Sequence, residues 1–167
     1  MLAYRMTKGG GVEGLERVEL PDPTPAAGEV LIRVRATSLN YRDLMMARGS
    51  REAIIPLSDG AGEVVATGAG ATRFAVGDRV TGCFFPNWVD GDVQPEYTAE
   101  ALGGGTRDGM LAQLVALPER AVVATPAHQS DDEAAPQPGA ARTAWNANFE
   151  AAPLRPGPTV VFHGTRG

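Results

Sequence analysis

Three polar side chains stand where a folded chain could set them against a small molecule. Asn40 and Tyr41 follow directly on an apolar stretch in "VLIRVRATSLNYRDL", and Thr143 lies in "ARTAWNA". An amide and a phenol can donate hydrogen bonds to an oxygen that gains charge during a reduction, and a threonine hydroxyl can meet a bound cofactor. From residue type alone, Asn40 is equally an amide that fixes a turn and Tyr41 a ring packed beside it, while a lone threonine in a helix, such as Thr143, is more often structural. Cys83 follows a glycine with no histidine near it in sequence, so it reads as a small hydrophobe and not a nucleophile. As the single cysteine it excludes an internal disulfide and a multi-thiolate zinc site.

Other motifs carry weaker chemistry. "GAGEVVATGAG" looks like a nucleotide fingerprint, but no helix follows it to supply free amides to a phosphate. Asp59 and glycines 60, 62, 68, 70 and 77 are therefore assigned to turns and close strand packing. Asp43 pairs with Arg42 or caps a short helix, and Arg48 is an exposed arginine. Trp88, Trp145, Phe84 and Phe85 suit a core or a cleft wall. The final "TVVFHGTRG" joins a strand, Thr159 to Phe162, to a glycine turn with Gly164 and Gly167.

The elements that must position these residues are mostly strands. In "GEVLIRVRATSLN", Val30, Ile32 and Val34 fall on one face while Arg33 and Arg35 fall on the other. "YRDLMMARG" gives one or two helical turns stopped by Gly49. "GAGEVVATGAGA" and "VGDRVTGCF" alternate β-branched residues with glycines, as strands bending around a small barrel do. Residues 86–109 read as a long polar surface insertion, and "MLAQLVALPERAVVATP" returns to strand. Ser130 with Glu133 forms a capping-box pattern, ended by Pro136 and Pro138. A second helix spans Ala140 to Ala151, since Ala141, Ala144, Trp145 and Phe149 recur at helical spacing, with Asn148 inside the apolar stripe.

Composition bounds the reading. The chain has 167 residues, enough for one ordinary domain, and 43% hydrophobic content, enough for its own core. Twenty acidic against fifteen basic residues give a formal charge of −5 without a block of either sign, which argues against a nucleic-acid or anionic-membrane surface. No stretch approaches the length of about 20 apolar residues that spans a bilayer, and a cytoplasmic location is the expectation. The 21 glycines and 13 prolines punctuate short apolar runs, so they mark turns between strands and not disorder.

Taken together, "GEVLIRVRATSLNYRDLMMARG", "DGAGEVVATGAGATRFAVGDRV", "ARTAWNA" and "TVVFHGTRG" resemble the medium-chain dehydrogenase/reductase superfamily, in that family's order along nearly the whole chain. The likeness is greatest to its zinc-free, quinone-oxidoreductase and alcohol-dehydrogenase-like branch. It implies a mainly β fold with short helices (α+β): a GroES-like β-barrel over residues 1–126, then interdomain helices and a remnant first Rossmann strand over 127–167. It implies Asn40 and Tyr41 as catalytic residues and Asn40 and Thr143 as cofactor-binding residues, with NADP or NAD as cofactor. Zinc-dependent relatives place a cysteine in the segment matching "LNYRDL" and Gly-His-Glu in that matching "SDGAG"; the residues here, with His128 and His163 outside both motifs, imply no zinc.

The resemblance also sets expectations for function. The rest of a Rossmann domain is not in the sequence, so the chain is expected to be a truncated or engineered domain that binds no dinucleotide tightly and is inactive by itself. In a full-length relative it would be the substrate-holding part of an NAD(P)H-dependent reductase of a quinone, enone or small carbonyl. The alternative is a non-catalytic GroES-like scaffold or binding domain, with a homodimer formed through a sheet edge or a former domain seam. Polar Gln129, Gln137, Arg142 and Asn148, where relatives place apolar residues, favour a surface altered for solubility. On that reading Arg142→Leu with Asn148→Leu lowers solubility and shifts the thermal melt; unchanged solubility counts against it.

Overall fold

Alternation along "EVLIRVRATS" makes β3 (Glu29–Ser38) the centre of the molecule: Val30 and Ile32 are buried, Val34 is half-buried, and Arg33 and Arg35 are exposed. The computed structural model describes all residues except 8, 50–52, 105, 152, 158 and 162–167. β3 pairs antiparallel with β4 (Asp59–Thr67) on one side and β6 (Leu114–Pro118) on the other. β5 (Arg79–Gly82) and β7 (Val122–Ala124) extend the sheet to the order β6-β3-β4-β5-β7. The strands β1 (Leu2–Met6) and β2 (Leu15–Glu19) form a separate hairpin, tied to the rest through Ala3 opposite Ala112 and Met6 opposite Ile54. The sequence reading gave this hairpin no assignment.

The core lies on the inner face of the sheet. Val30, Ile32, Val64, Val80, Leu117 and Val122 pack with Leu102 and Met110. Each such side chain contributes roughly 1.5–3 kcal/mol by leaving water. Leu102 and Ala101 correct one expectation: residues 86–109 are not simply a surface insertion, because this segment forms the one-turn helix α2 (Pro95–Ala99) and then sends a fully buried leucine into the core.

Register irregularities bend the β3–β4 pair between Leu31 and Ile32 and between Val34 and Ala36. At the second, Gly62 comes so close to β3 that a Cβ would strike the Arg33 carbonyl. Only glycine permits that approach.

Helix α1 (Tyr41–Gly49) follows β3 after Leu39 and Asn40. Helix α3 (Asp131–Ala134) starts as its sequence motif predicts, with Ser130 Oγ accepting from the Glu133 amide and Glu133 Oε2 accepting from the Ser130 amide. Arg79 of β5 holds Asp131 through Nε and Nη2, at 3.1 and 2.7 Å, anchoring α3 to the sheet.

Two expectations at the carboxyl side are corrected. The helix over Ala140 to Ala151 is not uniformly α-helical: α4 (Arg142–Trp145) lies between wider π turns at Gln137–Ala141 and Asn146–Ala151. Within this run Thr143 Oγ1 donates to Gly139 O and Asn148 Nδ2 to Ala144 O. The remnant strand is absent over Thr159 to Val161, which are exposed and unpaired with any described strand; Phe162, Gly164 and Gly167 lie outside the described residues.

Gly62→Ala is expected to lower the urea-unfolding free energy by about 2 kcal/mol or more. Gly82→Ala, whose Cβ would meet Leu117 and Met110 at 3.4–3.5 Å, should cost less than about 1 kcal/mol. Equal losses would show that the close strand approach is not what requires glycine.

Candidate functional site

The end of β3, the start of β4 and the helical run at 137–151 meet at one side chain. Asp59, the first residue of β4, has no exposed surface. Its Oδ2 accepts from Asn40 Nδ2 and from the Gly139 amide, both at 3.1 Å, and its Oδ1 accepts from Ser58 Oγ at 3.2 Å. A buried carboxylate is costly unless donors surround it, and these three supply that compensation. Burial pushes the Asp59 pKa up, the bonds from Asn40, Ser58 and Gly139 oppose that rise, and the nearby Asp43 charge adds to it. A Cβ on Gly139 would run into Asp59 Oδ2, so glycine is what lets this amide reach the carboxylate.

Asn40 and Thr143 line a single open cleft of about 1040 Å³. One wall is aromatic: Phe84 stands edge-on to Phe85 with centroids 4.2 Å apart, and Phe85 meets Trp88 at 5.6 Å. Tyr41 opens α1, is 61% exposed and is not part of the cleft lining. Thr143 Oγ1 gives its proton to Gly139 O at 2.6 Å, so toward a ligand it offers lone pairs. Asn40 has one N–H committed to Asp59, while among the described residues no donor reaches its Oδ1.

The charged groups nearby are mostly structural. Asp43 Oδ2 accepts from the Asn40 backbone amide at 2.7 Å, locking the turn into α1, and burial raises its pKa. Arg42 donates to Leu102 O at 3.0 Å and lies 4.6 Å above the Phe84 ring, tying α1 to the buried end of the 86–109 segment. Burial lowers its pKa, with Asp43 and Asp59 opposing. Cys83 lines the cleft half-buried, and burial pushes its thiol up against the pull of Arg142 and Arg73, which leaves it protonated at neutral pH. Among the described residues no three His, Cys, Asp or Glu side chains group as a metal site, and no helix is long and apolar enough to cross a membrane.

Sequence reasoning placed Asn40 and Thr143 in one site but missed Asp59, Ser58 and Gly139. The assignment of Asp59 to turns and packing is corrected: it is the acceptor on which the site is assembled. A usable signal was present, because an acidic residue opening the glycine-rich, β-branched run "DGAGEVV" must be buried with partners if that run is a central strand.

Comparison with known proteins agrees with this architecture. Residues 26–127 match the family model described as the alcohol dehydrogenase GroES-like domain. A zinc-type alcohol dehydrogenase-like protein of Schizosaccharomyces pombe is 41% identical, over 84% of this chain and 42% of that protein. A chloroplast envelope quinone oxidoreductase homolog of Arabidopsis thaliana is 34% identical, over 88% of this chain and 41% of its own length. Among solved structures, that of an NAD-dependent alcohol dehydrogenase superposes with a TM-score of 0.81 at 34% identity, covering 94% of this chain and 49% of the other. The chain thus spans less than half the length of these relatives.

The raised carboxyls fix the sign of a pH effect. Asp59 and Asp43 bind protons more tightly folded than unfolded, so stability falls as pH rises from the ordinary aspartate value of 3.8 through their raised values, then levels off. Glu133, held below 4.5 by its Ser130 bonds, acts with the opposite sign at lower pH and is common to any Asp59 variant. In urea midpoints taken at stepped pH, Asp59→Asn is expected to give a shallower fall above 3.8 than the parent chain; identical profiles would remove Asp59 as the source.

Proposed function

The chain belongs to the alcohol dehydrogenase GroES-like domain family of the medium-chain dehydrogenase/reductase superfamily, and from that membership we propose that it forms the substrate-holding part of an NAD(P)H-dependent, zinc-independent oxidoreductase. The substrate class is a quinone, enone or small carbonyl, reduced by hydride transfer. The observation that carries this reading is the cleft itself, in which Asn40 and Thr143 face a wall of Phe84, Phe85 and Trp88. A planar conjugated carbonyl suits that wall, where aromatic contacts add about 0.5–1.5 kcal/mol beyond area burial.

The residues present fit the nicotinamide end of the cofactor, because Asn40 Oδ1 and Thr143 Oγ1 are neutral acceptors on the cleft wall. Asn40 and Thr143 would hold that group, which supplies the hydride. Asn40 keeps a second N–H for the substrate oxygen, and Tyr41, outside the cleft lining, would act from its rim. Zinc independence rests on donor chemistry: Asn40 and Tyr41, then Ser58, Asp59 and Gly60, stand in the two motifs where a metal would require thiolate and imidazole, and the one carboxylate among them, Asp59, has both oxygens held by donors of the chain. On this reading residues 1–126 form the substrate domain, 127–167 lead toward the dinucleotide-binding part, and these 167 residues bind substrate without turning it over.

A second reading, a binding module without catalysis that associates with its own copy, draws on the exposed Trp145 and Phe149 rings, stacked 4.4 Å apart. Amide-resolved NMR titration with 2-cyclohexen-1-one and 1,4-naphthoquinone separates the two. Saturable shifts at Asn40, Phe84, Phe85 and Thr143 are expected, weakened up to about tenfold by Phe85→Ala. Shifts scattered over the surface, or affinity indifferent to Phe85→Ala, would sink the substrate-cleft reading in favour of the binding module.

A further inference from the structure

A second concavity lies away from the cleft. It is a groove of about 370 Å³ where the β1–β2 hairpin meets the end of β3 and residues 110–113, and it shares no lining residue with the cleft. That volume falls in the lower part of the range of about 300–1,000 Å³ for small-molecule sites.

Local features of the chain build this groove. Tyr4 and Arg17 are register partners across the hairpin, which sets both side chains on one face. On β3 the register irregularity between Val34 and Ala36 inserts an extra residue, so Val34 and Thr37 share a face although they lie an odd number of positions apart. Their partners on β4 are Gly62 and Gly60, which bring no side chain of their own.

The polar groups here are donors without partners. Gln113 Oε1 accepts from the Leu2 amide at 2.8 Å, which fixes the side-chain amide and leaves its N–H groups uncommitted. Among the described residues no carboxylate or carbonyl stands against the Arg17 guanidinium, the Tyr4 hydroxyl or the Thr37 hydroxyl, and Arg17 is the one charged residue of the lining. The remaining surface is apolar: Leu2, Val34 and Leu111 are half-buried and Met110 is fully buried. A guanidinium and amide N–H groups repel a metal cation, and the formal charge of −5 disfavours a polyanion. A single anionic head on an apolar body matches both parts of the groove.

We propose that this groove is a second small-molecule site, taking a monocarboxylate with a compact apolar body. The Arg17 fork and the Gln113 N–H groups receive the carboxylate, with the Tyr4 and Thr37 hydroxyls beside them, and the body lies against Val34, Leu111 and Met110. Such a ligand bridges the hairpin and the five-stranded sheet, which are separate sheets. The site does not depend on the reading of the cleft given above.

Benzoate, benzamide and acetate separate the two requirements. Benzamide keeps the body and shape without the charge, and acetate keeps the charge without the body. In amide-resolved NMR titrations of the whole chain at neutral pH and low salt, benzoate is expected to give saturable shifts centred on Tyr4, Arg17, Thr37 and Gln113. Benzamide and acetate should each bind about fivefold more weakly. Arg17→Gln, at an exposed position of β2, is expected to weaken benzoate about fivefold and to remove its preference over benzamide. Benzoate affinity of the parent chain should also fall as salt is raised, because the charge pair is open to solvent. No saturable binding, shifts centred on Phe84 and Thr143 instead, equal affinity for benzoate and benzamide, or an Arg17→Gln chain that binds benzoate like the parent would each overturn the proposal. If Arg17→Gln does not fold, the salt series decides, and an affinity indifferent to salt overturns it.

Discussion

The fold around the cleft is organised by the need to satisfy one buried carboxylate. An uncompensated charge at the Asp59 position would cost several kcal/mol, and the chain meets that cost with one donor from the adjacent residue and two from segments far away in sequence. Ser58 comes from the bend that leads into β4, Asn40 from the β3–α1 junction and Gly139 from the helical run that follows α3. Removing the carboxylate would leave the Asn40 and Gly139 donors short of an acceptor, so the three segments are held in one relative placement. The surrounding residue types follow from it. Gly139 has no room for a Cβ beside Asp59, and a Cβ on Gly60 would lie 2.9 Å from Met110 Cε.

The approach to Asp59 is strained, and the strain is contained by neighbours. Leu57 has φ +70° although it carries a full side chain, a conformation that costs about 1–2 kcal/mol for an L-residue. Its side chain is buried, its carbonyl accepts from the Met110 amide at 2.8 Å, and two glycines close over its backbone. A Cβ at Gly103 would meet the Leu57 amide nitrogen at 2.7 Å, and one at Gly109 would collide with its carbonyl. Gly103, Gly109 and Met110 thus hold the turn delivering Ser58 and Asp59 into β4. Strain of this kind collects where a site must be fixed in advance.

What could be read from the sequence divides along the range of the interactions involved. Strand β3 was legible because its alternation is local and one of its faces is buried; the capping box at Ser130 and Glu133 was legible because both bonds span three residues. Cleft membership of Asn40 and Thr143 came from a family resemblance and not from spacing. The burial of Asp59 was legible from its place at the head of a glycine-rich, β-branched run, but its partners were not, because they lie 19 and 80 residues away and neither pairing leaves a periodic trace. The helical run misled because the 3.6-residue stripe of Ala141, Ala144 and Trp145 is present, while the turns on either side of Arg142–Trp145 are wider than an α-helix and leave no separate trace in that spacing. The hairpin β1–β2 shows no clean alternation, having only Ala3 and Met6 buried in its first strand and none in its second.

The same burial that makes Asp59 central limits what it can do. A general acid or base must come within hydrogen-bond reach of the group it serves, directly or through one water. Asp59 has no exposed surface, and each of its oxygens already holds a donor from the chain. Its raised pKa is therefore a record of burial and not a sign of proton transfer to a ligand. Influence passes outward through geometry: a carboxylate that must keep its donors fixes the direction of the Asn40 amide and the height of Gly139, and Gly139 fixes the Thr143 hydroxyl. Asp59 thus holds Asn40 and Gly139 in place from behind the cleft, with no surface of its own in it.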